Sequence, residues 1–170
     1  MAKWNLDPSH SEVQFKVKHM VISTVTGNFD NFSADLEDNT DDFAEAKFEF
    51  DAQIDSINTK NKDRDTHLKS ADFFAAEQYP VLKFESTSGI KNGKIDGILE
   101  IHGEKKPVTL NADFGGVITD PWGLTRAGFE FEGEINRKDF GLTWSGTTEA
   151  GGLVVSDKVK LLVNLEFTKA

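Results

Sequence analysis

Apolar residues alternate with polar ones along most of this chain, and that period of two constrains the fold more than any other feature. Val13, Phe15, Val17, His19 and Val21 share one parity. Gln14, Lys16 and Lys18 sit between them, with Met20 as the one apolar exception. The pattern returns with Ala46, Phe48, Phe50, Ala52 and Ile54, then with Val108, Leu110, Ala112 and Phe114. It returns again with Ala127, Phe129, Phe131, Gly133 and Ile135, and Val159, Leu161, Val163, Leu165 and Phe167 carry it to the end. A period of two marks a strand with one face buried. Weaker runs at roughly 27–37, 81–90 and 94–102 bring the expectation to about eight strands.

The punctuation agrees. Asn92-Gly93 between two runs is a hairpin turn signal. Asp120-Pro121-Trp122-Gly123 is a turn with Pro at its second position. Eight mostly antiparallel strands with one polar face make either a closed barrel or a sandwich. Closure has the merit of removing exposed edges. An eight-stranded barrel has room for side chains or for one small ligand.

Only the segment at about 60–79 breaks the alternation and reads as helical. Thr59 or Asn61 can cap a first helix, and Ser70 a second, "ADFFAAEQ", that stops before Tyr79-Pro80. The first helix has Leu68 as its clear apolar anchor, with Phe73 and Phe74 available from its neighbour.

At 170 residues the chain makes one domain, 1–170, with a sizeable core. Its net charge of −10 repels phosphate backbones and anionic headgroups, so nucleic acid is not an expected partner. With no Cys, disulfides, thiolate metal sites and cysteine nucleophiles are excluded. No run approaches the ~18 apolar residues of an integral membrane helix. The beginning "MAKWNLDPSHS" has no apolar leader core, so the expected location is cytoplasmic as the sequence stands, or periplasmic if a leader has been removed.

Catalytic and metal motifs are weak. The histidines His10, His19, His67 and His102 match no metal-ligand spacing, so no metal is expected. Asp7, Ser9 and His10 supply the residue types of a hydrolase triad, but triads are assembled from distant segments, and Asp7 and Ser9 read better as turn residues. The cluster Arg64, Asp65, His67 admits three uses: acid–base chemistry, a solvated helix face, or contacts to a ligand's polar end at a pocket mouth.

Phenylalanine is the last signal: 14 of it, against one Tyr and three Trp. Phe15, Phe48, Phe50, Phe84, Phe114, Phe129, Phe131 and Phe167 fall on the apolar parity of their runs. They form either an ordinary core or the wall of an apolar cavity. The small residues Ala52, Ala112, Gly116 and Gly133 would leave space for the latter.

Several segments taken in order, "WNLDPSHSEVQFKVKH", "GNFDNF", "DSINTKNKDRDTHLKSADFF", "YPVLKFEST", "GILEIHGEKKPVTL" and "TRAGFEFEGEINRKDFG", resemble the YceI-like family of polyisoprenoid-binding proteins. The likeness runs from Trp4 to about Gly141. It implies an all-β fold: an extended eight-stranded antiparallel lipocalin-like barrel with a short helical segment beside it. It also implies an elongated apolar pocket for an isoprenoid lipid, either a polyprenyl lipid or a quinone tail, with no other cofactor, and a homodimer as a further partner. The expected lining is Phe15, Val17, His19, Phe48, Phe50 and Leu68, together with Phe73, Phe84, Phe114, Phe129, Phe131 and Val163. Arg64 and His67 are expected as polar contacts at the mouth. The resulting expectation is a non-enzymatic lipid carrier. An enzyme acting on such an amphiphile, or a filled barrel used as a structural module, are the alternatives.

Overall fold

The computed structural model describes residues 2–19, 22–39, 42–143 and 155–170. Met20 and Val21, which the alternation assigns to a strand end, lie outside them. The described strands are β1 (Ala2–Leu6), β2 (Glu12–His19), β3 (Ser23–Phe29), β4 (Phe32–Asp38), β5 (Lys47–Gln53) and β6 (Ile57–Asn58). After α1 (Lys62–Lys69), the one α-helix among the described residues, come β7 (Val81–Ser86), β8 (Lys94–Ile101), β9 (Glu104–Thr119), β10 (Thr125–Asn136) and β11 (Val155–Lys169).

The ring runs β1-β4-β5-β7-β8-β9-β10-β11 and closes where β1 pairs with β11. It is a closed eight-stranded antiparallel barrel, as expected. The other three strands are continuations of ring members. β1 pairs with β11 at Phe167–Lys169, and β2 follows along the same strand from Asn164 to Val155. The break between them is a turn in which the Asp7 carboxylate accepts from Ser9 N at 3.1 Å. β3 and β4 form a second broken strand. β5 and β6 form a third, interrupted by a 3-10 turn at Ile54–Ser56.

These breaks make the two ends of the barrel unlike. At one end every neighbour is hydrogen-bonded to the next. At the other, β6 is two residues long and pairs with β3, while β7 pairs with β5 and β8. Among the described residues no ladder joins β6 to β7, and the chain between them, which contains α1, lies at this opening.

The helical segment is shorter than expected. Asn61 caps α1, its side chain accepting from Arg64 N at 3.0 Å. Residues 71–79 are turns and not a second helix. Phe74 N donates back to Leu68 O at 3.0 Å and Ala75 N to Ser70 O at 2.9 Å, with Ala75 at φ 47 in the left-handed region. The reason is burial. Neighbouring residues on a helix face directions about 100° apart, whereas the folded-back chain sets Phe73 on the His67 ring and Phe74 on Phe29. No described helix is long and apolar enough to cross a membrane.

The fully laddered end is filled. Phe129 stacks on Phe114 at 5.3 Å between centroids and meets Phe43 and Phe48 edge-on at 4.9 and 5.0 Å. Trp4, Phe131 and Phe167 complete the cluster, all buried. Ala52, Ala112 and Gly133 leave no space, whereas a Cβ on Gly116 would meet nothing within 4 Å. A Cβ on Gly133 would lie 2.4 Å from the Leu110 side chain, Ala52 and Ala112 are packed over, and Gly116 sits at the bulge between β9 and β10.

Candidate functional site, an apolar cavity under the helix

The opened end is hollow. Strand β2 brings Phe15 and Val17, and β11 brings Val155, Val159 and Leu161. Phe29, Leu82, Ile101 and Ile135 come from the ends of β3, β7, β8 and β10. Leu68, Phe73 and Phe74 close it from the helical segment. Together with Leu142 and Arg137 these side chains bound a narrow space of about 60 Å³. A second cavity of about 160 Å³ adjoins it, sharing Phe15, Val17, Leu68, Phe73 and Val155. Its outer wall is Val25, Lys18, His19, Arg64 and His67.

Of the side chains expected to line a pocket, Phe15, Val17, His19, Leu68 and Phe73 lie together here, with Arg64 and His67 at the outer part. Phe48, Phe50, Phe84, Phe114, Phe129, Phe131 and Val163 line neither cavity and belong to the packed core. Parity selects the inward face of a strand, but not which end of the barrel is hollow. Ile135 and Leu161 share the inward parity read from the sequence, while Phe29, Leu82 and Ile101 lie in the weaker runs and are not singled out by it; antiparallel register is the signal that places all five at the Val17 end.

Arg137 carries no such signal. It is buried, and its guanidinium donates to Leu142 O at 2.6 Å and Ser156 O at 3.0 Å, beside Asp157 at 3.6 Å. Burial pushes it down from its ordinary value, with the Asp157 charge opposing. Its bonds tie the turn after β10 to the start of β11.

The Arg64 cluster is braced on Thr59, which is 4 % exposed. Arg64 Nε donates to Thr59 Oγ1 at 2.8 Å and Nη2 to Thr59 O at 2.6 Å. The Asp65 carboxylate accepts from Thr59 N at 2.9 Å and from the Thr59 hydroxyl. His67 Nε2 meets Asp72 at 2.8 Å.

The other dense polar group lies around the turn after β1. Ser9 Oγ donates to Asp7 at 2.7 Å, and His10 Nδ1 lies 3.2 Å from Ser9 Oγ and 2.9 Å from Asp7. A hydrolase relay needs the hydroxyl and the carboxylate on opposite ring nitrogens, and here both touch Nδ1. Asp7, His10 and Glu166 bring ligand atoms within 4.8 Å of one another. Arg126 already supplies the cation, with Nη1 at 2.8 Å from Asp7 and 3.4 Å from Glu166 and Nε at 2.8 Å from Asp120. The bonds from Ser9, His10 and Arg126 hold the Asp7 carboxyl well below the usual carboxylate range. Arg126, with the backbone of Leu124 and Trp122, lowers Asp120 in the same direction.

An eight-stranded antiparallel barrel, packed solid at one end and hollow and apolar at the other, is the architecture of a small binding barrel. The YceI-like domain model matches residues 4–167, and the chain belongs to that family. It is 36% identical over 169 residues to a UPF0312 protein of Staphylococcus epidermidis, covering 99% of this chain and 98% of that one. The solved YceI protein of Campylobacter jejuni is 36% identical with a TM-score of 0.77, covering 90% of each chain. A structure described as a polyisoprenoid binding domain from Saccharophagus degradans shares the fold at 18% identity, with a TM-score of 0.72 over 100% of both chains.

Proposed function

We propose that this chain binds a long isoprenoid lipid, a polyprenyl lipid or a prenylated quinone, and that it serves to transport, store or sequester it. The carrying observation is the continuous apolar space under the helix, walled by Phe15, Val17, Leu68 and Phe73 in both of its parts. Its two parts enclose about 60 and 160 Å³ as they stand, less than the roughly 300–1,000 Å³ of ligand pockets, so a long chain enters by displacing the Leu68, Phe73 and Phe74 side chains. Each CH₂ buried in such a space contributes about 0.8 kcal/mol, so a long tail binds tightly with few hydrogen bonds. The likeness to the polyisoprenoid binding domain from Saccharophagus degradans supports the same reading.

Acid–base chemistry by Arg64, Asp65 and His67 has less support, because Thr59 and Asp72 already engage these groups. Organic extraction of the purified protein followed by mass spectrometry tests the proposal. A co-purifying prenyl lipid, or saturable binding of added polyprenol or menaquinone, is the expected result. Absence of both refutes it.

A further inference from the structure

Among the described residues, four large hydrophobic side chains stand exposed: Ile22, Ile118, Trp122 and Leu124. Three of the four sit on one hairpin, between β9 and β10, with Ile118 64 %, Trp122 82 % and Leu124 45 % exposed. Ile118 lies opposite Arg126 in the ladder, and Asp120 N bonds to Leu124 O, so Ile118 and Leu124 share the outer face and Trp122 holds the apex. Past Ala112, β9 is laddered to β10 alone, so the tip stands clear of β8. The tip is at the packed end of the barrel: Phe129 of β10 belongs to the ring cluster, and Ile135, at the strand's far end, lines the cavity.

The backbone of this tip leaves no donor for water. Asp120 N donates to Leu124 O at 2.8 Å, and Gly123 N to Asp120 O at 3.0 Å. Trp122 N and Leu124 N both donate to Asp120 Oδ1 at 2.9 Å, and Pro121 has no N–H. Arg126 Nε bonds the same carboxylate at 2.8 Å and its Nη1 reaches Asp7 at 2.8 Å, which ties the tip to the barrel wall. Asp120 and Arg126 are the only charged residues from Phe114 to Phe129, and they pair with each other, in a chain of net charge −10.

A rigid, neutral, apolar tip with its donors already paired suits an apolar solvent, where an unpaired N–H is costly. Tryptophan favours the boundary between headgroups and acyl chains. The patch is too small for a stable protein interface, which buries roughly 800 Å² on each partner. The bulge at Gly116, whose φ is 104, interrupts the free edge of β9 that strand addition by a second copy would use. The acidic remainder of the chain repels anionic headgroups and leaves zwitterionic ones. We propose that the β9–β10 tip docks the barrel on a zwitterionic lipid surface, with Trp122 and Leu124 inserted and Ile118 at the boundary. Docked this way, the protein keeps its cavity end, with α1, clear of the surface.

Co-sedimentation of the full chain with phosphatidylcholine vesicles free of prenyl lipid tests it. Attachment by three side chains is weak and reversible, no stronger than the roughly 10⁴ M⁻¹ of a single myristoyl chain, so lipid is taken to millimolar concentration. Trp122→Ser should lower the partition coefficient about tenfold, and Trp122→Ser with Leu124→Ser further. Both side chains are exposed and the tip is bonded through its backbone and Asp120, so an unchanged Tm should accompany the loss. Ile22→Ser, which removes an exposed apolar side chain elsewhere, should bind as wild type does. Brominated phosphatidylcholine should quench wild-type tryptophan fluorescence more than that of Trp122→Phe. Replacing part of the phosphatidylcholine by phosphatidylglycerol should weaken binding at low salt, with recovery as salt rises. No binding by wild type, equal binding by the tip variants, an equal loss in Ile22→Ser, or a preference for phosphatidylglycerol would each overturn the proposal. A wild-type dimer that Trp122→Ser splits, in place of vesicle binding, would overturn it in favour of a second copy. The vesicles hold no prenyl lipid, so this docking and the lipid-binding reading fail separately.

Discussion

Gly27 on β3 is where a single methyl group should close the cavity. Phe15 lies directly across from it on β2, and the ring sits flat over the missing side chain. A Cβ at Gly27 would lie 2.2 Å from Phe15 Cζ and 2.3 Å from Cε1. Ordinary carbon contacts are about 3.5–4.0 Å, so against the 2.2 Å found here the ring must retreat by about 1.3–1.8 Å. The backbone at Gly27 does not require glycine, since its φ is not positive. The strain therefore falls on the ring, and the ring can only leave the strand toward the barrel interior, where it borders both cavities.

Gly27→Ala should accordingly reduce stability by about 1–3 kcal/mol, the usual range for overpacking. It should weaken binding of a neutral prenyl lipid by more than tenfold, because the displaced ring occupies ligand space. Phe15→Leu in the same chain removes the clash, so the double variant should bind better than Gly27→Ala alone. Chemical denaturation and lipid titration on the four members of this cycle measure both effects. If Gly27→Ala matches the wild type in both, or if Phe15→Leu merely adds its own loss, the reasoning about the ring is wrong.

Leu68→Gln combined with Phe73→Ser should weaken retention of a neutral-headed prenyl lipid more than Arg64→Ala does, read by lipid titration. The first pair removes apolar cover, whereas Arg64 is bonded mainly to Thr59. Phe129→Ala removes the ring that touches Phe43, Phe48, Phe114, Phe131 and Phe167, and should cost about 3–5 kcal/mol in urea unfolding. Asp7 and Asp120 are lowered in the folded state, so the stability they contribute is present above the unfolded carboxylate value of about 3.9 and is lost as pH falls toward their folded values. Arg126→Gln should therefore lower Tm at neutral pH, with the gap from wild type narrowing below about pH 4.

The barrel was legible because alternation is a local signal: Phe129, Phe131 and Leu165 point inward in the structure as their parity requires. The broken strands were harder. The run at roughly 27–37 is β3 and β4, split at Asp30 and Asn31, where Asn31 O accepts from Gln53 N at 2.9 Å and its N–H reaches Ser56 Oγ at 3.0 Å. Those partners lie more than twenty residues away, beyond what periodicity can report. The same limit explains the site. Phe48 and Phe15 look alike as alternating phenylalanines, but one faces Phe129 and Phe131 while the other faces an opening created by the shortness of β6. "ADFFAAEQ" misled because its composition suits a helix, while burial of two adjacent rings required the chain to turn back.

The difference between the two ends also locates the weakest part of the wall. Around the ring, parting two strands breaks ladder hydrogen bonds and exposes a core that is nearly dry. Between β6 and β7 the cover is α1 and its turn, and α1 has no buried residue. Its bonds to Thr59 lie at its N-terminal side, next to Lys60, whose φ of 64 already places a bend there. A swing about that bend keeps the Thr59 brace. It sacrifices mainly the contacts of Leu68, Phe73 and Phe74, each worth at most about 1.5–3 kcal/mol, together with one ion pair of Lys69 with exposed Asp55 at 3.6 Å that contributes about 0–1 kcal/mol. An apolar chain entering beneath them restores those same contacts. The segment is thus attached by the interactions a lipid can replace, and hinged by the ones it cannot.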